Sequence, residues 1–215
     1  LDLYIANGHV SSKSAKDYCT TFWCHDVYTG SSQPNPLLDE FFFANHSRTK
    51  EQGVSWNGFE HNNLFLNESG KQFISISFLL DIALEGDCNN VINDDIDADG
   101  KPDLLVAEGT FYTHTHRLHI LRNNSPDGNH WIGVKLREEG RGVSPIGAKI
   151  TVVSASGRQT AQVVTGDSYN TQHSNTKQFG LGADEKVAYI EVRWLNGAVK
   201  EVLHPKLNQY HSIRP

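Results

Sequence analysis

The chain has 215 residues and a formal charge of −6, from 19 basic and 25 acidic side chains. That mildly acidic balance argues against nucleic acid as a main partner, because phosphate binding needs a basic surface. No apolar run approaches the ~20 residues of a membrane-spanning helix, and short alternating runs set between Gly, Asn and Asp predict an all-β protein.

The chain opens on an apolar strand, Leu3, Tyr4 and Ile5, that follows Asp2 and precedes Ala6, Asn7 and Gly8. It contains no Met, so it reads as a mature product or a fragment of a longer protein. An insertion follows, at about 11–62, rich in Tyr18, Phe22, Trp23, Tyr28, Phe41, Phe42, Phe43, Trp56 and Phe59. Most buried aromatics are core, which favours a locally packed lid. Trp23 and Trp56 are the candidates for the competing role, a sugar-stacking surface.

The insertion also carries Cys19, Cys24 and His25. The c-type haem motif is C-x-x-C-H, and the spacing here is wider, so haem is disfavoured. A disulfide involving Cys24, or inert buried thiols including Cys88, is the plainer reading. Beyond the insertion, 63–67 reads as a strand, and 73–84 as a strand followed by a turn.

The most informative segment follows. Asp95, Asp97, Asp99 and Asp103 occupy positions 1, 3, 5 and 9 of a short loop, with Gly100 at position 6. Calcium takes six to eight hard oxygens, and this spacing supplies several from one tight turn, the Lys101 carbonyl included. An EF-hand would carry Glu at position 12, where Val106 stands, and helices on both sides. Instead Leu104, Leu105, Val106 and Ala107 read as a buried strand.

Two stretches repeat. Residues 2–8 match 103–109, and 63–67, ending in Asn67, match 119–123, ending in Asn123. Such repeats predict stacked units such as propeller blades. Asp2 stands where Asp103 closes the loop, so the first copy begins in mid-loop and further blades are expected upstream in a parent chain.

His114, His116 and His119 crowd one strand, but zinc needs more ligands than this run provides, and surface histidines are the simpler reading. Asn45, Asn67 and Asn123 head N-x-Ser sequons, which matter only in a glycosylating source.

From Gly128 the chain becomes a series of short alternating strands, with an Asn196-Gly197 hairpin turn. This predicts a small β-sandwich or barrel-like domain over 128–215. Its densest polar loop, 166–174, offers Asp167, Tyr169, Gln172 and His173 as hydrogen-bonding ligand contacts. A Ser168-centred triad is rejected, because no nucleophile elbow frames it.

The 95–104 segment resembles the calcium loop of FG-GAP/VCBS repeats. The runs 128–134, 146–150, 166–169, 179–182 and 190–194, together with Gln172, resemble the ASPIC/UnbV domain that often follows such repeats in secreted bacterial proteins. The resemblance implies propeller blades with a calcium loop over 1–127, interrupted by the insertion, and an ASPIC/UnbV domain over 128–215. The expected function is a non-catalytic, calcium-stabilised module, secreted, periplasmic or at the cell surface. It would bind polysaccharide or a surface protein. The alternative is an accessory domain of an enzyme or redox protein, with 19–25 as a haem attachment or thiol site.

Overall fold

A computed structural model describes residues 2–33, 35–38, 53–109, 115–126, 128–138, 143–166 and 168–215. The chain divides into two compact units, Leu1–Val91 with Leu105–Leu121, and Ile92–Leu104 with Arg122–Pro215. The sequence places its boundary at 127/128, whereas the second unit also takes in the segment Ile92–Leu104. Strands dominate, in several separate sheets, and among the described residues none of these closes into a barrel.

In the first unit, β1 (Leu3–Ile5), β4 (Asn63–Glu68) and β5 (Gln72–Ser75) form an antiparallel sheet of order β1-β4-β5. Leu3 sits opposite Phe65, and Phe65 opposite Ser75. Within the insertion, β2 (Ser14–Asp17) pairs in parallel with β3 (Val54–Ser55). A helix, α1 (Tyr18–Thr29), follows β2 directly. The sequence gives little warning of this helix. Its aromatic and β-branched residues are modest helix formers, and Trp23, Val27 and Tyr28 on it are exposed.

Strands β6 (Cys88–Asp94), β7 (Asp103–Gly109) and β8 (His116–Leu121) form a sheet of order β6-β7-β8, and the unit boundary falls within β6 and β7. The repeat seen in the sequence has a counterpart in hydrogen bonding. Asp2 Oδ1 accepts from the Asn67 amide at 2.9 Å, and Asp103 Oδ1 accepts from the Asn123 amide at 2.8 Å. In each copy an Asp beside the start of one strand, β1 or β7, accepts from the amide of an Asn near the end of the neighbouring strand, β4 or β8.

The second unit adds β9 (His130–Leu136), β10 (Lys149–Ser154), β11 (Gly157–Gln162), β12 (Thr176–Gly182), β13 (Val187–Arg193), β14 (Val199–Leu203) and β15 (Tyr210–Ile213). They form two sheets, β11-β10-β13-β14 and β12-β9-β15, the latter with β15 parallel to β9. Alternation sends Ile132, Val134 and Leu136 of β9, with Phe179 and Leu181 of β12, into one core. Ile150 and Val152 of β10 and Ile190 and Val192 of β13 enter the same core from the other sheet. Each fully buried side chain of this kind contributes about 1.5–3 kcal/mol. The β13–β14 hairpin turns at Asn196 and Gly197, where the Gly197 amide donates to the Trp194 carbonyl at 3.0 Å.

Candidate functional site

The acidic loop belongs to the second unit. Asp95 organises it. Its Oδ1 accepts from the Asp99 amide at 3.0 Å and its Oδ2 from the Gly100 amide at 2.9 Å. Asp99 Oδ1 in turn accepts from the Lys101 amide at 2.9 Å. The backbone is bent by Ala98 at φ 60° and Gly100 at φ 92°. As a result one oxygen each from Asp95, Asp97 and Asp99 lies within 4.8 Å of the others. Oxygens on opposite sides of a calcium ion stand roughly 4.6–5.2 Å apart, twice the usual bond length. The three oxygens are thus close enough together to share one hard cation.

Asp103 has a different place. It is 3% exposed, and its two oxygens accept from the Ile96 and Asn123 amides at 3.1 and 2.8 Å. It closes the loop from below while the other three carboxylates face one another. Arg122 Nη2 lies 2.7 Å from Asp97 Oδ2 and 3.7 Å from Asp99 Oδ2. Lys101 Nζ stands 4.0 Å from Asp99 Oδ2. These cations offset part of the repulsion among the carboxylates. Arg122 is 61% exposed, so water screens its pairs and their net worth is small.

Two aromatic residues distant in sequence meet this loop. The Tyr210 hydroxyl donates to Asp95 Oδ2. Burial first, then that hydrogen bond and the charges of Asp95, Asp94 and Asp99, push the Tyr210 phenol well above its ordinary value. It therefore stays a neutral donor. The Trp131 indole lies against Gly100, where a methyl group would collide with the ring nitrogen. The sequence carries no local signal for either contact, since Tyr210 and Asp95 are 115 residues apart.

The remaining sequence candidates are scattered. Trp23 is exposed on α1, while Trp56 is half-buried and stacks on His9 with ring centroids 5.9 Å apart. In the 166–174 loop Tyr169 is 67% exposed, Gln172 is exposed and His173 half-buried, and Asp167 lies outside the described residues. Cys24 is an exposed free thiol and Cys88 a buried one, so no disulfide joins either of them; the side chain of Cys19 is not among those described. His25 is buried with Nδ1 2.9 Å from Asp26 Oδ1. His119 Nε2 pairs with Glu108 Oε2 at 2.7 Å and His116 is exposed. His114, Asn45 and Phe41 to Phe43 lie outside the described residues.

A second polar cluster, unannounced by any motif, sits in the first unit. Fully buried Asn62 accepts from the Asn7 amide at 2.8 Å and donates to the Tyr4 hydroxyl at 2.9 Å. Asp87, also buried, accepts from the Ser11 amide at 2.9 Å. Burial above all pushes the neighbouring Cys88 thiol up, which keeps it protonated.

No helix among the described residues is long and apolar enough to cross a membrane. No curated protein matches the chain. Residues 140–215, which span most of the sandwich of the second unit, match the ASPIC and UnbV family.

Proposed function

We propose that the chain is a non-catalytic, calcium-stabilised binding module of a secreted, periplasmic or cell-surface protein. The observation that carries this reading is the cluster of Asp95, Asp97 and Asp99, whose oxygens lie within 4.8 Å of one another in a loop held open by its own amides. Calcium there would be structural. It would neutralise the three carboxylates and stiffen the turn into β7, and Arg122, being exposed, could swing away at little cost.

The FG-GAP/VCBS propeller reading of the first part draws its support from the two repeat copies. Matching β1 with β7 and β4 with β8, as the Asp2–Asn67 and Asp103–Asn123 bonds do, gives the two copies two strands of one pattern. One copy supplies the strand before, β6, and the other the strand after, β5. Together they describe a four-stranded unit of the size of a propeller blade. For the ligand we favour polysaccharide over a surface protein, with the exposed rings of Trp23 and Tyr169 as the stacking surfaces.

Calorimetric titration with calcium, paired with thermal unfolding in calcium and in chelator, tests the cation. A free concentration of 100 times Kd stabilises the fold by about 2.7 kcal/mol, and Asp97→Asn should remove most of that shift. Identical unfolding in calcium and chelator, with no binding heat, would refute the reading. A glycan array, read with Trp23→Ala and Tyr169→Ala, tests the ligand; an array on which nothing binds removes polysaccharide.

A further inference from the structure

We propose that the outer face of the β12-β9-β15 sheet holds the 95–103 loop by a two-point latch, Tyr210 on Asp95 and Trp131 on Gly100, so that order in the loop and stability of the sheet are linked. The latch goes beyond the calcium reading and does not depend on it.

The sheet is built for this contact. Along β9 the residues with even numbers, Ile132, Val134 and Leu136, enter the core. Trp131 and Gly133 therefore point to the opposite face. Tyr210 of β15 stands opposite Gly133, and its ring covers that glycine so closely that a methyl group there would collide with it. The absent side chain leaves room for the Tyr210 ring over Gly133, from where its hydroxyl reaches Asp95. Trp131 and Tyr210 then meet edge to face, ring centroids 5.0 Å apart, as one aromatic platform.

The loop is shaped to match. Gly100 offers bare backbone to the Trp131 indole. Asp95 Oδ2 accepts both the Gly100 amide and the Tyr210 hydroxyl. Tyr210 is thus a positioning residue: it fixes which oxygen of Asp95 faces the sheet and which holds the Asp99 amide. A charge-assisted hydrogen bond of this kind is stronger than a neutral one. Coupling between two ordered parts is reciprocal, so loosening the loop must loosen the platform strands as well.

Amide hydrogen exchange on the whole chain without added metal reads the latch. Tyr210→Phe keeps the ring over Gly133 and deletes only the hydroxyl. The Asp99 and Gly100 amides, more than a hundred residues away in sequence, should exchange roughly tenfold faster. The Gly133 and Asn208 amides, which bond β9 to the residues just before β15, should lose protection with them. A second variant covers the case in which Tyr210→Phe does not fold. Gly100→Ala, measured with Trp131 present and in a Trp131→Ala background, isolates the indole contact, since the backbone strain at φ 92° is common to both. A smaller destabilisation in the Trp131→Ala background supports the latch. Unchanged exchange at Asp99 and Gly100 in Tyr210→Phe, or an equal cost of Gly100→Ala in both backgrounds, overturns it.

Discussion

The two units bury different chemistry. The second gathers aliphatic and aromatic side chains from two sheets into one cluster, with Ile132, Ile150, Ile190 and Val192 fully buried. Among the described residues of the first unit, the buried hydrophobic side chains are Cys88 and Val106, and the buried polar ones are His25, Ser55, Asn62, Ser77 and Asp87. The same unit exposes Leu3, Phe73, Phe78, Leu79 and Leu80. Among the described residues, the apolar core lies in the second unit, whereas the buried side chains of the first are mostly polar. A hydrophobic core tolerates adjustment because its attraction has no direction, whereas a buried polar network is costly as soon as one partner is lost.

The contrast can be broken most forcefully in the core. Ile190→Ala leaves a cavity between the sheets and should cost about 3–4 kcal/mol, within the usual range for such truncations. Urea unfolding followed through Trp194 fluorescence measures it; a cost under about 1 kcal/mol would mean that the sandwich is not the stabilising element assigned here.

Asn62→Ala tests the other side. It strands the Asn7 amide and removes the donor to the Tyr4 hydroxyl, and should cost about 1–3 kcal/mol. Maleimide labelling of Cys88 reports it, because that buried, protonated thiol reacts only when the first unit opens. Labelling at the wild-type rate would remove the claim that hydrogen bonds hold this unit.

The smallest effect is expected on acidification of the second unit. The side-chain hydroxyl of Ser154, then the hydroxyl and amide of Ser156, hold the exposed Asp184 carboxyl below its ordinary 3.8. A lowered folded value stabilises the native state above the unfolded value and is lost as pH falls through the folded one. Asp184→Asn should therefore lower stability slightly at neutral pH and flatten the stability–pH curve below about pH 4, where the variant and wild type converge. A variant curve parallel to wild type throughout would show that these hydrogen bonds are absent in solution.

How much of this was legible follows from range. Alternation along 131–136, 148–153 and 187–194 marked the strands that now line the sandwich, and Asn196-Gly197 marked their hairpin, because strand period and turn chemistry are local properties. The loop was legible for the same reason: five consecutive odd-and-even positions suffice to bring Asp95, Asp97 and Asp99 together. Helix α1 was not legible, since its aromatic and β-branched residues carry weak helix propensity. Asp103 was read as a further ligand of the loop; its two oxygens also accept from the amides of Ile96 and Asn123. Asn123 lies 20 residues downstream of Asp103, and no spacing rule reaches that far.

By itself the sequence determined the predominantly β character, the repeated Asp-to-Asn strand pair, the acidic turn and the alternating strands of its last third. Each depends on residues a few positions apart, where sterics and the strand period act directly. Only the tertiary structure decided that the acidic turn belongs with the C-terminal sandwich, that Tyr210 and Trp131 meet it, and that the first unit buries Asn62 and Asp87. Those outcomes rest on which faces the chain brings together over long separations. There the driving force is the burial of whole surfaces, and a local pattern carries no record of which surface it will meet.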